Sequence, residues 1–191
     1  MLKDLVFANR SYRRFAQSEA ISESALRELI DLARCCASAG NLQSLKYIIS
    51  CTPERNAVVF PTLSWAGYLA DWHGPEEGER PSAYVIVLGD TRIQKSFFCD
   101  YGIAAQTILL GAVEKGYGGC MFGSIDRDQL RKRLSIPDYF EILLAIALGR
   151  PVEKVVLEDV GPDGSIKYYR DAAKVHHVPK RRLDELILDL G

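Results

Sequence analysis

Two clusters of cations stand far apart in the chain. Arg10, Ser11 and Arg13 put two guanidinium groups and a hydroxyl within four positions, and Lys180-Arg181-Arg182 adds three cations near the other end. A guanidinium presents a planar fork of donors that matches phosphate or carboxylate, and a serine hydroxyl adds a short donor, so each cluster suits an anion. Either stretch also reads as solvated surface. Glu185 and Asp189 stand close enough in sequence to pair with the second cluster for little energy.

Gly116-Tyr117-Gly118-Gly119 invites a dinucleotide-binding reading, but that fingerprint must follow a strand and open a helix. Here a helical pattern precedes the glycines and a strand pattern follows them. What glycine does permit is close approach of backbone to a flat ligand, because no Cβ holds the ligand away. Side chains for nucleophilic or metal chemistry are poorly placed. His73 falls in a loop pattern, His176-His177 have no thiol or carboxylate at ligand spacing, and no serine lies in a G-x-S-x-G frame. Cys120 has apolar neighbours that raise a thiol's pKa rather than activate it. Neither hydrolase chemistry nor a metal site is expected. Trp65, Tyr68 and Trp72, at i, i+3 and i+7, share one face of a helix and suit a core, an interface or a platform for something flat.

These groups must be held by a definite set of elements. Leu2, Leu5 and Val6 predict a short first helix that ends at the basic stretch. Ser22 caps a second, with Leu26, Leu29, Ile30 and Ala33 as its buried face and an end near Cys36. Ser38 to Gln43 reads as a loop, Leu45 to Cys51 as a strand, and Pro53 as the first turn of a helix. Ala83 to Leu88 has the β-branched, continuous apolar character of a strand covered on both faces. Gln94 to Lys115 predicts a long helix whose Tyr101, Ala104, Ala105, Ile108 and Ala112 stripe permits close packing, closed by Gly116. Gly118 to Gly123 is a short strand, Asp126 caps a helix stopped by Pro137, and Phe140 to Leu148 is the last strong strand. Helices alternating with buried strands point to an α/β or α+β domain with a central mixed sheet. From Val152 on, with a turn at Pro162-Asp163-Gly164, too little apolar material remains for a separate core, so 152–191 is expected as an arm on a single domain, 1–191.

The bulk composition agrees with one soluble domain. Of 191 residues 48% are hydrophobic and 26% charged, and 24 Lys+Arg against 25 Asp+Glu leave a net charge of −1. Near neutrality gives no reason to expect nucleic acid or an anionic membrane as partner. No apolar run approaches the roughly 20 residues that cross a bilayer. The N-terminal residues lack the apolar stretch of a signal peptide, which sets the expectation of a cytoplasmic protein. Five cysteines without C-x-x-C spacing argue against both a disulfide framework and zinc.

Arg10-Ser11-x-Arg13-x-Phe15, Ser38-x-x-Asn41-x-Gln43, Gly116-x-Gly118-Gly119-Cys120-Met121-Phe122-Gly123-Ser124, Leu148-Gly149-Arg150-Pro151 and Val178-Pro179-Lys180-Arg181-Arg182 follow one another in this order. In that order the chain closely resembles nitroreductase-family flavoproteins over its whole length. The resemblance implies an α+β fold of the nitroreductase kind: a central mixed, mainly antiparallel sheet flanked by helices, with a C-terminal arm exchanged in a homodimer. It implies FMN bound non-covalently at the dimer interface, and ping-pong electron transfer from NADH or NADPH to a small acceptor such as a nitroaromatic or quinone. By the same resemblance Arg10 and Ser11 hold the FMN phosphate with Lys180 and Arg182, and Arg13 faces the pyrimidine edge of the ring. Phe122 and Gly123 offer main chain to the flavin, and Ser38, Asn41 and Gln43 reach it from the second subunit. A cation at the pyrimidine edge raises the reduction potential of the ring, and no side-chain acid or base is required. Trp65, Tyr68 and Trp72 are the candidates for the acceptor pocket. The chain departs from the family at Asn9, where a further Arg is frequent, and at Ser44, where the loop frequently has Pro. A flavin storage or sensor module, or other flavin chemistry such as reductive dehalogenation, fits the same motifs.

Overall fold

The first helix, α1 (Leu2–Ala8), buries none of its residues and stops at Asn9, whose extended backbone (φ −76°, ψ 100°) leads into the basic stretch. The computed structural model describes residues 1–189; Leu190 and Gly191, the end of the expected arm, lie outside the described residues. Helix α2 (Glu23–Arg34) starts as its cap predicts, with the Ser22 side chain accepting from the Ala25 N–H, and it buries Leu26, Leu29 and Ala33. Strand β1 (Leu45–Ser50) is followed by α3 (Pro53–Val59), which has Pro53 in its first turn and Thr52 as cap. Strand β2 (Ala83–Asp90) is buried at all eight positions, two residues longer than its β-branched run. Then come α4 (Asp100–Glu114), β3 (Gly118–Phe122), α5 (Arg127–Leu134), capped by Asp126, and β4 (Phe140–Gly149).

The four strands form an open sheet in the order β1-β2-β4-β3, antiparallel at every pairing. One parallel bridge, Ser11 to Gly119, adds the basic stretch to the β3 side and makes the sheet mixed. Helices α2 and α4 cover one face, where Leu26, Leu29, Ala105, Ile108 and Ala112 meet Val85, Val87, Ile146 and Leu148. Each leucine, isoleucine or valine in this contact contributes about 1.5–3 kcal/mol on leaving water. The small-residue stripe of α4 serves this contact: a Cβ on Gly111 would lie 2.8 Å from Leu32 Cδ1 and 2.9 Å from Leu29 Cδ2.

Two expected helices are corrected. The long helix begins at Asp100, six residues later than expected, because Phe98 takes a left-handed backbone (φ 44°) and Phe97 folds onto β2, where a Cβ on Gly89 would lie 2.3 Å from its ring. Trp65, Tyr68 and Trp72 share no helix. Helix α3 gives way at Phe60–Thr62 to a single 3₁₀ turn, Leu63 bridges to Ile125, and Ala66 takes φ 37°. At both places tertiary contacts override the helical period of the sequence.

The elements above belong to one compact unit, residues 1–65 and 74–152; a second combines Ala66–His73 with the chain from Glu153 on. The second unit has its own sheet, order β5-β7-β6, of β5 (Val155–Asp159), β6 (Tyr169–Arg170) and β7 (His176–Lys180). Strands β5 and β7 run parallel, β6 and β7 antiparallel. Few aliphatic groups hold it. Arg170 pairs with the buried Glu153 at 3.0 Å and lies 4.2 Å over the Trp72 ring, and Tyr68 packs on Tyr168 at 4.9 Å. His177 sits between Glu158 (3.0 Å) and Asp171 (3.2 Å) and stacks on Tyr169. The Pro162-Asp163-Gly164 turn forms, with Gly164 at φ +69° and its N–H donating to Gly161 O at 2.9 Å. Among the described residues no helix is long and apolar enough to cross a membrane.

Candidate functional site

The stretch from Arg10 to Phe15 is laid along the open side of β3. Ser11 bridges Gly119, and the Tyr12 N–H donates to Gly119 O at 3.0 Å. This contact explains the glycines of β3: a Cβ on Gly118 would lie 2.5 Å from the Tyr12 ring, and one on Gly119 would lie 2.4 Å from Ala147 O. They admit the protein's own chain rather than a ligand. The stretch is pinned beyond the cations as well, since Phe15 is fully buried, bridges Pro151, and occupies the space a Cβ on Gly149 would need.

The three arginines of this stretch are in different states. Arg14 is tied to both carboxylate oxygens of Glu79 through the Nε–Nη2 edge of its guanidinium, with Nε to Oε2 at 2.6 Å, and is committed to structure. Arg13 is 9% exposed, with Nη1 donating to Ser11 O at 3.3 Å. Arg10 donates Nη2 to Val6 O at 2.6 Å, but its Nε is buried with no hydrogen-bond partner among the described residues. A buried donor left unmade is costly, and a bound anion is the natural acceptor for it beside the exposed Ser11. This donor set fits a phosphate.

At its far end β3 delivers Phe122 and Gly123. The Phe122 ring is buried, and Trp65 meets it edge-on at 4.6 Å and 71°. Gly123 is exposed, and a Cβ placed on it would meet nothing within 4 Å. That is the space a flat group against the main chain needs. Trp65 is itself 8% exposed and packs also on Phe60, whereas Tyr68 and Trp72 belong to the second unit.

The Ser38 to Gln43 loop is more constrained than its composition suggests. The Ser38 hydroxyl donates to Asp100 Oδ2 at 2.7 Å and accepts from the Gln43 N–H at 3.0 Å, while the Ala39 N–H reaches Asp100 Oδ1 at 3.1 Å. Gly40, Asn41 and Gln43 all take left-handed backbone, φ 58°, 55° and 50°. For Asn41 and Gln43 this is a strained state that the Asp100 anchor over-determines, and such strain clusters at ligand-contacting sites. Both side chains are exposed, with Gln43 Nε2 donating to Asn41 O at 3.2 Å. The loop borders a groove of about 810 Å³ along α2 and β1, lined by Ser38, Gln43, Ile30, Tyr47, Cys51 and Arg55 among others. Partial burial pushes the Tyr47 phenol up to about 12. Arg10, Ser11, Arg13, Phe122 and Gly123 do not line this groove.

In the second unit Lys180 ends β7 and Arg182 follows it, both exposed. Arg182 Nε lies 3.9 Å from Asp159 and Arg181 pairs with Glu185 at 3.5 Å, whereas Lys180 makes no ion pair among the described residues. Asp100 is the residue the sequence reading missed. An acid at a helix N-terminus is a legible signal, but it was hidden inside a helix expected to start at Gln94.

Residues 7–150 match the model of the nitroreductase family. A Bacillus subtilis protein with the provisional name NAD(P)H nitroreductase YodC is 23% identical over 180 residues, covering 78% of this chain and 89% of that protein. Among solved structures, a nitroreductase family protein from Streptococcus pneumoniae superposes with a TM-score of 0.74 at 16% identity, covering 99% of this chain and 100% of that one. A nitroreductase-type protein from Exiguobacterium sibiricum, crystallised in complex with FMN, gives 0.66 at 17% identity, covering 80% and 89%. At these identities the structural likeness speaks for the fold.

Proposed function

Because the chain belongs to the nitroreductase family, we propose that it is an FMN-dependent NAD(P)H oxidoreductase that passes electrons in a ping-pong cycle to nitroaromatics, quinones or similar small acceptors. The observation that carries this reading is the buried, unmade Nε donor of Arg10 beside Ser11, on a stretch laid along the strand that ends in the open face of Gly123. The relative named for NAD(P)H and the neighbour crystallised with FMN support it.

In this reading Arg10 and Ser11 bind the phosphate, joined by Lys180 and Arg182 as further cations, and Arg13 holds positive charge at the pyrimidine edge. Phe122 and Gly123 present main chain to the ring. When bound, FMN supplies the two-electron chemistry, and the protein supplies position and electrostatics. The rigid Ser38–Gln43 loop, with Asn41 and Gln43 facing solvent, completes the site of a second subunit, and the arm crosses to that subunit. Exposed apolar side chains on α1 and at the start of α4, among them Leu2, Phe7, Phe98 and Ile103, support a homodimer. The exposed Tyr68, paired with the half-buried Tyr168, suits a planar acceptor.

The test is to incubate the purified protein with FMN, desalt it, record the visible spectrum, and add NADH and NADPH in turn without oxygen. Retained flavin bands that bleach with a nicotinamide support the assignment; a colourless protein, or bands that neither nicotinamide bleaches, overturns it.

A further inference from the structure

Within itself the main chain after β3 makes one short-range hydrogen bond, the Ile125 N–H donating to Gly123 O at 3.1 Å. Gly123 combines an open outer face with glycine's backbone freedom, and Ser124 is exposed. One antiparallel bridge from a remote segment, made of two hydrogen bonds, removes that freedom. Leu63 forms an antiparallel bridge with Ile125, the Ser64 N–H donates to Ser124 O at 3.0 Å, and the Asp126 N–H donates to Thr62 O at 2.8 Å. The segment is anchored in turn, because the buried Thr62 hydroxyl donates to Val59 O at 2.7 Å at the end of α3. Trp65 closes it against the last residue of β3, edge-on to Phe122 at 4.6 Å and beside Phe60 at 5.6 Å. Backbone also closes on the indole: Gly74 takes φ +124°, and a Cβ there would lie 2.8 Å from Trp65 Cδ1.

The geometry points to Thr62–Trp65 as a strap that sets the position of the Phe122–Ile125 main chain, with Trp65 as its positioning residue. Resting on the flavin reading above, this gives Trp65 a role in the rate of electron uptake without its touching acceptor or cofactor. Main chain that must meet a reacting atom tolerates little displacement. A shift of about 1 Å is enough to cost up to about a hundredfold in rate. The buried Phe122 ring is the point at which Trp65 bears on the last residue of β3.

The experiment compares Trp65→Leu and Trp65→Phe with the parent chain by two readouts. Without flavin, amide exchange at Ser64 and Asp126, the two N–H groups held across the strap, is expected to be at least about tenfold faster in W65L and near the parent rate in W65F, because loosening the strap opens those groups locally. With FMN, anaerobic reduction by nicotinamide is expected to slow about tenfold in W65L while FMN affinity changes less than about threefold, with W65F restoring most of the rate. Unchanged exchange in W65L overturns the strap, and so does a rate lost only in proportion to lost flavin. Should W65L not fold, Gly74→Ala displaces the same indole, and the same two readouts apply to it. A parent chain that holds no FMN defeats the oxidoreductase reading instead, and the exchange measurement still decides the strap by itself.

Discussion

Ser38 and Asp100 are joined by a 2.7 Å hydrogen bond that links the strained loop to the first turn of α4, and Asp100 is 4% exposed. The carboxylate takes a second donor from the Ala39 N–H, so the loop's course is dictated from outside its own sequence. Asp100→Ala leaves both donors unmade in a nearly buried place. It is expected to destabilise the protein by about 1–3 kcal/mol in denaturant unfolding, and to release Asn41 and Gln43 from their left-handed backbone. FMN affinity should fall with it; equal affinity in the variant would remove the loop from the site.

Arg10 permits a cleaner separation of binding from folding. Its Nε makes no hydrogen bond among the described residues, so Arg10→Ala removes little from the fold besides the bond to Val6 O. FMN affinity, followed by quenching of flavin fluorescence, is expected to fall about tenfold or more, as for loss of a charge-assisted hydrogen bond. The melting temperature without flavin should barely change. Unchanged affinity would place the phosphate elsewhere.

The helices were legible because their signals are local. Ser22, Pro53 and Asp126 mark starts, and the 3.6-residue period of Leu26, Leu29 and Ala33 marks a buried face. The β-branched run of β2 likewise declared a strand covered on both faces. What stayed hidden depends on contacts between distant residues. The late start of α4 comes from Phe97 filling space left by Gly89, some eight residues earlier and on another element. Gly118 and Gly119 read as room for a ligand until Tyr12 and Ala147 O are seen to occupy it. At the candidate site, residue types named the anion-binding stretch, but only the packing distinguishes the committed Arg14 from Arg10.

Asp90 gives a pH dependence of definite sign. It is buried in the fold, and the Arg92 guanidinium, which also stacks 3.8 Å over the Tyr139 ring, holds its carboxyl at about 2. A folded-state value below the ordinary 3.8 means that the stabilisation is complete above that value and is lost as pH falls toward about 2. Thermal melts across this acid range are expected to show a smaller loss for Asp90→Asn than for the parent chain. Parallel curves would mean the pair contributes nothing.

His177 has the opposite sign. Hydrogen bonds to Glu158 first and Asp171 second raise its pKa above the ordinary 6.5, so the clamp is fully charged below that value and weakens as pH rises through the higher, folded one. Because His177 lies on β7 and its partners on β5 and just after β6, the second unit's sheet should loosen on the alkaline side. Limited proteolysis of that unit is expected to accelerate with pH in the parent chain and to be nearly pH-independent, and fast, in His177→Gln. An identical pH profile in both would rule out the clamp.

Leu29 and Gly111 test the packing that carries the sheet. Leu29 is fully buried on α2, and the missing Cβ of Gly111 on α4 leaves the space its Cδ2 enters, 2.9 Å from where that Cβ would sit. Leu29→Ala should cost about 2–5 kcal/mol, the range for a buried leucine that leaves a cavity. Gly111→Ala gains up to about 1 kcal/mol of helix propensity but pushes on Leu29, which has nowhere to go, and on Leu32, which is 45% exposed and can swing out. In the Leu29→Ala background only the push on the exposed Leu32 remains, which that side chain relieves by swinging out, so the same glycine substitution should then stabilise. The two changes are therefore expected to be coupled in a double-mutant cycle by denaturant unfolding. Additivity within about 0.5 kcal/mol would show that α2 and α4 adjust independently, and that the small-residue stripe of α4 does not set their approach.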